Sequence, residues 1–420
     1  MVLPESANSQ FLSEVTHASA HCRIVAGDDI FDQSGAKLWG RNQPVSQSLQ
    51  QKLLDRKLKA PLEACLRAED GVTTVHLYEQ LTLLIASDHA LAPVLHEYQQ
   101  ELIDHARSLP LHPAAQLLLT IAQNNRPGSY AHAIEGMALA GAMALHAGYD
   151  RLKTRLAMLG GLLHDIGEMY IEPAYLQSDK ALDSETFRYL ATHPLLGAEL
   201  VKSLMDYPPA LWQGIAQHHE RLCGTGYPAM RAEKDVGELG RLLAVVDTTI
   251  GALAMPDAPL QRASLALRMV PGEYDPLWVG FIARAAASVP CSDCMPHDAA
   301  EVAQARSTAQ ATIEKIRASQ QCCAALANDA KSSDTVRKIS ERAAQLLLRL
   351  DVAYRSSGIA FAFPADTHEE IIEQLSVARE LTVRLEKIRT ECLWSTPGRT
   401  TMDEEKLVPV WRAMTGQMLQ

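Results

Sequence analysis

The chain has 420 residues, 47% of them hydrophobic, which is material for a real core and for two or three domains. A formal charge of −11 and an aromatic content of 5% argue against a generic polyanion binder and against a base-stacking platform for single strands, so bulk DNA or RNA is not an expected partner. A small anionic ligand remains compatible with this charge if metal or a local basic cluster offsets the field.

The first residues, MVLPESANSQFLSEV, lack the basic stretch and apolar core of a signal peptide. No apolar run approaches the roughly 18 residues of a membrane span. The eight cysteines are scattered and, with no secretion signal, read as reduced thiols. The expected location is the cytoplasm.

Residues 22–46 predict a small β element, with CRIVAGDDIF and AKLWG as strand-like runs around the turn sequence DQSG. SQSLQQKLLDRKL, residues 46–58, has helical spacing with Ser46 or Ser48 as a cap. The pattern from about residue 72 to 125 is helical and rich in Leu, Ala and His, and NNRPG breaks it near Asn124–Gly128. Residues 129–290 alternate apolar helices with short loops: AHAIEGMALAGAMALHAG, RLKTRLAMLGGLLHDIG, SETFRYLATHPLLGAELVKSL, ALWQGIAQHHE and ELGRLLAVVDTTIGALA. Strand alternation is scarce there, so this block is expected to be all-α.

Beyond Pro296 the chain becomes rich in alanine and charge. A second long helix is predicted to start at Thr367–Glu370, a capping-box sequence. Its apolar positions Ile371, Leu375, Ala378, Leu381, Leu385 and Ile388 step by three and four and form one face. An antiparallel bundle packing on itself is the first reading of these C-terminal helices. A homodimer or protein-partner surface is the second.

The chemistry-bearing residues are histidines and aspartates at helix ends and inner faces. His164 and Asp165 close the apolar helix AMLGGLL. Burying such a pair costs free energy unless something satisfies it. Divalent metal does so, because imidazole is a neutral ligand and a carboxylate can bridge two ions. Alone, the pair reads first as a structural hydrogen bond. It does not stand alone: His132 lies 32 residues earlier, His193 sits in HPLLG, His218 and His219 are adjacent, and Asp247 ends the run LLAVV. Cys291, Cys294 and His297 resemble half of a zinc site without a second pair, so loop cysteines are the simpler reading. Neither a phosphate-loop motif nor a dinucleotide glycine pattern is present, which leaves ATP or NAD chemistry without support.

The ordered set H…HDIG…HPxxG…HHE…GTGYP…D, over roughly residues 128–290, resembles the HD-GYP subgroup of the HD phosphohydrolase superfamily. The resemblance implies a mainly α protein. It would have an all-α HD-type helical core, a small N-terminal β element and a C-terminal helical extension. The implied divisions are a small α+β element at 1–70, a helical connection at 71–127, a metal-dependent phosphohydrolase domain at 128–290 and helices at 291–420. It implies two divalent metal ions, iron or manganese in preference to zinc. His132, His164, Asp165 and Asp247 would hold one, and His193, His218 and His219 the other, with Asp165 bridging and Asp165 and His164 at the catalytic centre. Both His218 and His219 can serve one ion only if their helix ends there, since adjacent helical residues point about 100° apart. The implied substrate is the cyclic dinucleotide cyclic di-GMP, hydrolysed to pGpG or GMP, with Glu168, Gly226, Tyr227, Pro228 and Arg262 placed at the substrate.

The sequence also departs from the family. Glu168 follows HDIG where lysine is usual, Thr248 replaces a second aspartate after Asp247, and Cys223 replaces the aspartate before the glycine of the turn. An Arg-Pro-Tyr-Arg-like segment downstream is replaced by TTIGALAMPDAPLQR, with Arg262 and Arg268 as the nearby cations. Gly128 stands where a third metal's glutamate would be. An intact metal shell with a thinned substrate shell fits a phosphodiesterase. It also fits action on another nucleotide phosphodiester or monoester, and a catalytically weak or inactive signalling module that binds a nucleotide or a protein.

Overall fold

The computed structural model describes residues 8–53, 56–176, 184–254, 258–289, 299–357, 368–394, 396 and 400–416. It is dominated by helices and contains four short strands among the described residues. None of the helices searched is long and apolar enough to cross a membrane. The chain divides into two compact units, one of Met1–Leu176 and Tyr189–Gly251, the other of Gln177–Arg188 and Ala252–Gln420.

The first unit opens with a helix, Ser9–Ala18, capped by Asn8, whose side-chain oxygen accepts the Phe11 N–H at 3.0 Å. The β element at 22–46 is present, but its pairing differs from the simple hairpin. Ile30–Phe31 pairs antiparallel with Lys37–Trp39 around the DQSG turn, where Asp32 accepts the Ala36 N–H at 2.9 Å. Ile24–Ala26 instead pairs antiparallel with Leu66–Ala68, some forty residues on, a strand that local alternation did not announce. The predicted helix over 46–58 runs from Gln47 to Leu53.

Helical segments follow in close succession, among them Thr74–Ala86, Gln99–Arg107, Pro113–Asn125, Pro127–His146 and Arg151–Leu163. NNRPG does break the pattern: Arg126, at φ −137° and ψ 64°, is the single residue between two helices. The segment SETFRYLATHPLLGAELVKSL forms two helices, Ser184–Leu190 and His193–Leu204, with Pro194 in the first turn of the second, where its missing N–H leaves no helical hydrogen bond unmade. Pro209–Gln217 and Glu238–Leu253 complete the set that carries the histidines and aspartates.

Pro127–His146 and Arg151–Leu163 cross in backbone contact at Gly136 and Gly161. A methyl group at Gly161 would run into the Gly136 carbonyl and lie 2.9 Å from Met137 N. At Gly136, one would lie 3.4 Å from the His164 ring. Glycine at this crossing lets His132, on the first helix, meet His164, at the end of the second.

In the second unit, helices Ala299–Asn328, Asp334–Ser356, His368–Trp394 and Thr401–Thr415 share a core that includes Ile313, Ile316, Ile339, Leu347, Leu381 and Trp411. The predicted apolar face of the third helix points into this core at Ala378, Leu381, Leu385 and Ile388. Ile371 and Leu375 are half-buried, while Ile372 and Val377 are buried in the same stretch. Arg384, on that helix, pairs at 2.6 Å with both Glu273 and Glu380. Thr367 and the group Cys291, Cys294 and His297 lie outside the described residues.

The glycine crossing gives a direct test. Gly161→Ala must push the two helices apart, and overpacking of this kind costs about 1–3 kcal/mol. Urea unfolding should register that loss, whereas Gly251→Ala, at a glycine with open space around it, should not.

Candidate metal centre

All seven His and Asp positions singled out above converge in the first unit. They form two groups whose ligand-type atoms lie within 4.8 Å of one another: His132, His164, Asp165 and Asp247, and Asp165, His193, His218 and His219. Asp165 belongs to both. Its Oδ2 lies 3.3 Å from His132 Nε2 and 3.1 Å from His164 Nε2. Its Oδ1 lies 3.3 Å from Nε2 of His193 and of His218. Asp247 also reaches both groups, with Oδ1 3.9 Å from His132 and His164 and Oδ2 3.4 Å from His219 Nδ1.

Helix ends deliver these side chains. His164 is the C-cap of Arg151–Leu163, and His218 is the C-cap of Pro209–Gln217. The helix therefore does end at the His218–His219 pair, the condition for both imidazoles to face one point. His193 opens its helix, and Asp247 sits within Glu238–Leu253. His132 is not at a helix start; its helix begins at Pro127, and the histidine lies in the second turn.

The hydrogen bonds of the imidazoles specify their tautomers. His164 Nδ1 lies 2.9 Å from the Gly161 carbonyl, His193 Nδ1 2.7 Å from that of Leu190, and His218 Nδ1 2.7 Å from that of Ile215. A carbonyl can only accept, so each Nδ1 donates its proton. All three carbonyls are in the last turn of a helix, where no backbone N–H is left to satisfy them. In the neutral rings the Nε2 lone pairs are then bare, and they point inward at one another. His132 and His164 Nε2 are 3.2 Å apart, and His193 Nε2 is 3.1 Å from both His218 and His219 Nε2.

Protons alone do not satisfy this arrangement. Burial would lower the His164 pKa, but Asp165 outweighs it and pushes the pKa up to about 9. Burial and the neighbouring His218 and His193 hold His219 well below the ordinary histidine value, and burial also lowers His218. Burial would raise Asp165, yet His164, His132 and His193 take it well below the carboxylate range. Its buried Oδ1 makes no well-formed hydrogen bond despite the two nearby nitrogens. Converging lone pairs around an anionic, under-satisfied carboxylate are a cation site, and an N/O donor set suits a divalent metal.

The cleft over these groups has a volume of about 380 Å³. Its walls include Ser129, Glu168, Leu176, Leu190 and Tyr227 beside His132, His193, His219 and the aspartates. The Tyr227 ring stacks on His219 at 4.5 Å and 22°. The Tyr227–Pro228 peptide is cis. Gly226 has no side chain to offer the cleft; a methyl there would strike the backbone of Glu220 and Arg221, so the glycine lets the turn pack on HHE. Glu168 reaches the cleft, and burial, then Asp165, raise its pKa to about 7. Arg262 belongs to the second unit, on the helix Pro259–Arg268.

Three supporting residues escaped sequence reasoning. Glu220 accepts the N–H groups of Ala229 at 2.7 Å and Arg231 at 2.9 Å, which staples the GYP turn to the histidine pair. Arg221 donates to the Glu220 carbonyl at 3.0 Å and to Thr248 Oγ1 at 3.4 Å, linking the pair to the Asp247 helix. Arg126 donates to the carbonyls of Glu168 and Ile171. Only the adjacency of Glu220 and Arg221 to the histidines hinted at such roles; for Arg126 nothing local did.

Residues 116–269 match the HD domain family. A cyclic di-GMP phosphodiesterase of Pseudomonas aeruginosa is 27% identical over 240 residues, 56% of this chain and 55% of that protein. The cyclic di-GMP phosphodiesterase response regulator RpfG of Xanthomonas campestris pv. campestris is 28% identical over 29% of this chain and 33% of its own length. The chain thus spans about half or less of these relatives. Among solved structures, an HDG"Y"P protein from Bdellovibrio bacteriovorus aligns with 50% of this chain and 69% of its own, at 20% identity and a TM-score of 0.36. Over residues 116–269 the chain is similar to the HD domain family, and that stretch is the extent of the family match.

Proposed function

We propose that this protein is a metal-dependent phosphodiesterase that hydrolyses cyclic di-GMP to pGpG or GMP. Two divalent ions, iron or manganese, would be held by the two side-chain groups that share Asp165. The observation that carries the reading is the convergence of bare Nε2 lone pairs on that one carboxylate. The names of the relatives support the substrate class.

His132, His164, Asp165 and Asp247 would hold one ion, and His193, His218, His219 and Asp165 the other. Bound there, the ions supply positive charge that acidifies water and offsets the charge of a phosphodiester. The chain's own residues do the rest. Carbonyls fix the ring orientations of His164, His193 and His218, and Tyr227 backs the ring of His219. Leu176 and Leu190 give the cleft an apolar wall. Tyr227 and Pro228 shape the cleft beside the ions, and Gly226 allows their turn to seat. Arg262 is proposed as a substrate contact on sequence position.

One observation favours a second reading, a nucleotide- or protein-binding signalling module with little turnover. Among the described residues that line the cleft there is no lysine or arginine, and Glu168 is a carboxylate. Two charges about 4 Å apart interact by roughly 1–4 kcal/mol in wet to partly buried settings, enough to weaken anion binding severely.

Turnover separates the two. Purified protein loaded with manganese, or with ferrous iron without oxygen, should hydrolyse cyclic di-GMP, and Asp165→Ala should abolish it. Wild-type protein that binds two metals per chain and leaves cyclic di-GMP intact would point to the signalling module or to another nucleotide substrate.

Glu168→Lys should tighten cyclic di-GMP binding in equilibrium titration of the metal-loaded protein. Unchanged or weaker binding would refute the repulsion argument.

Metal uptake should also depend on pH. The pKa of each of His132, His164 and His193 is raised in the metal-free protein, against burial, by Asp165. As pH falls, more of each imidazole is protonated and competes with metal. Calorimetric manganese affinity should therefore drop from about pH 8 to about pH 6, with protons released on binding. PH-independent affinity would argue against imidazole ligands.

A further inference from the structure

The segment that follows Asp165 is tied to the N-terminal residues through one arginine. Arg126, buried in the one-residue break before the His132 helix, places its guanidinium between two partners. On one side Nη1 donates to the Glu168 carbonyl at 2.8 Å, and Nη2 to the Ile171 carbonyl at 2.9 Å. These oxygens bracket the end of the short 3₁₀ helix Ile166–Tyr170, which begins directly after Asp165. On the other side Nη2 and Nε donate to Glu14 Oε1 at 2.6 and 3.1 Å.

Glu14 is itself fixed. Its Oε2 accepts Asn125 Nδ2 at 2.6 Å, and its Oε1 accepts Gln10 Nε2 at 3.0 Å. Both side chains of the ion pair are 8% exposed. Two more contacts join the N-terminal residues to the same short helix. The Phe11 ring stacks on Tyr170 at 5.2 Å and 7°, and the Tyr170 hydroxyl donates to the buried Glu63.

We propose that Arg126 is a positioning residue for the metal centre. Residues 8–70 act through it as a clamp that sets where Asp165 and Glu168 lie. The inference rests on the metal-centre reading above and is independent of the substrate. Its physical basis is that a planar fork with several donors can hold two carbonyls and a carboxylate in one fixed geometry, which an ammonium cannot. Glu14 aims the fork, and Phe11 and Glu63 hold the helix against it. Any partner or signal that displaces the Ser9–Ala18 helix would then reach the ions without touching them.

The test uses the full chain with Arg126→Lys and Glu14→Gln. Leu77→Ala, a change at a fully buried position outside the clamp, serves as the stability control. Two readouts are taken, manganese affinity by calorimetry and amide hydrogen exchange of residues 164–171. Loss of a group that orients a ligand typically weakens metal binding by about 10–100-fold. Arg126→Lys should show a loss of that order together with faster exchange in 164–171. Glu14→Gln should move both readouts the same way by less. Leu77→Ala should lower the melting temperature with neither effect.

Wild-type affinity and unaccelerated exchange in Arg126→Lys would overturn the proposal. If that variant does not fold, Glu14→Gln, which preserves size, decides by the same criteria. Neither readout uses turnover, so an inactive wild type would sink the phosphodiesterase reading and leave the clamp to be judged on binding and exchange. If the wild type takes up no manganese, the metal reading fails on its own account and exchange alone decides.

Discussion

Everything in the first unit is arranged around one carboxylate. Asp165 offers Oδ2 to His132 and His164 and Oδ1 to His193 and His218, each at 3.1–3.3 Å. A carboxylate held among imidazoles in a partly buried site is costly unless its charge is balanced. Charge balance there constrains four helix ends and a helix crossing at once. It explains why glycines sit at the contact between Pro127–His146 and Arg151–Leu163: only close backbones bring His132 to the far side of Asp165 from His193. It also explains the stapled turn after His219, since Glu220, tied to Ala229 and Arg231, keeps the chain from continuing as a helix that would swing one imidazole away.

The ion pair of Glu14 with Arg126 extends this constraint beyond the helical core. A short helix such as Ile166–Tyr170 has few hydrogen bonds of its own and takes its position from what it packs against. Here part of that support comes from residues that carry no ligand: Phe11 and Glu14 on the N-terminal helix and Glu63 on the short helix Leu62–Cys65. The N-terminal helix therefore has a structural reason to accompany the histidine-bearing helices.

Much of this was legible from sequence, for identifiable reasons. Apolar periodicity announced the histidine-bearing helices, and the pairing of HHE with GTGYP pointed to a turn beside two imidazoles. NNRPG marked the break at Arg126. What was not legible is non-local. The ladder between Ile24–Ala26 and Leu66–Ala68 joins strands with a whole hairpin and two short helices between them. Glu14 and Arg126 are 112 residues apart, and neither has a neighbour that would flag it as buried. One expected helix is two, with Pro194 in the first turn of the second. The His132 helix starts at Pro127, two residues before the block boundary read at residue 129, and this puts His132 in its second turn.

The three carbonyl-bound imidazoles have a kinetic consequence. Each ring is held by an oxygen only three residues earlier, on its own stretch of chain. Such short-range restraints form with the helix end itself and need no ion to create them. Side-chain rotamer entropy at these histidines is therefore lost during folding and not during loading. A cation arriving at such a site would meet three donors already aimed, so its capture would wait on access and not on ring reorientation.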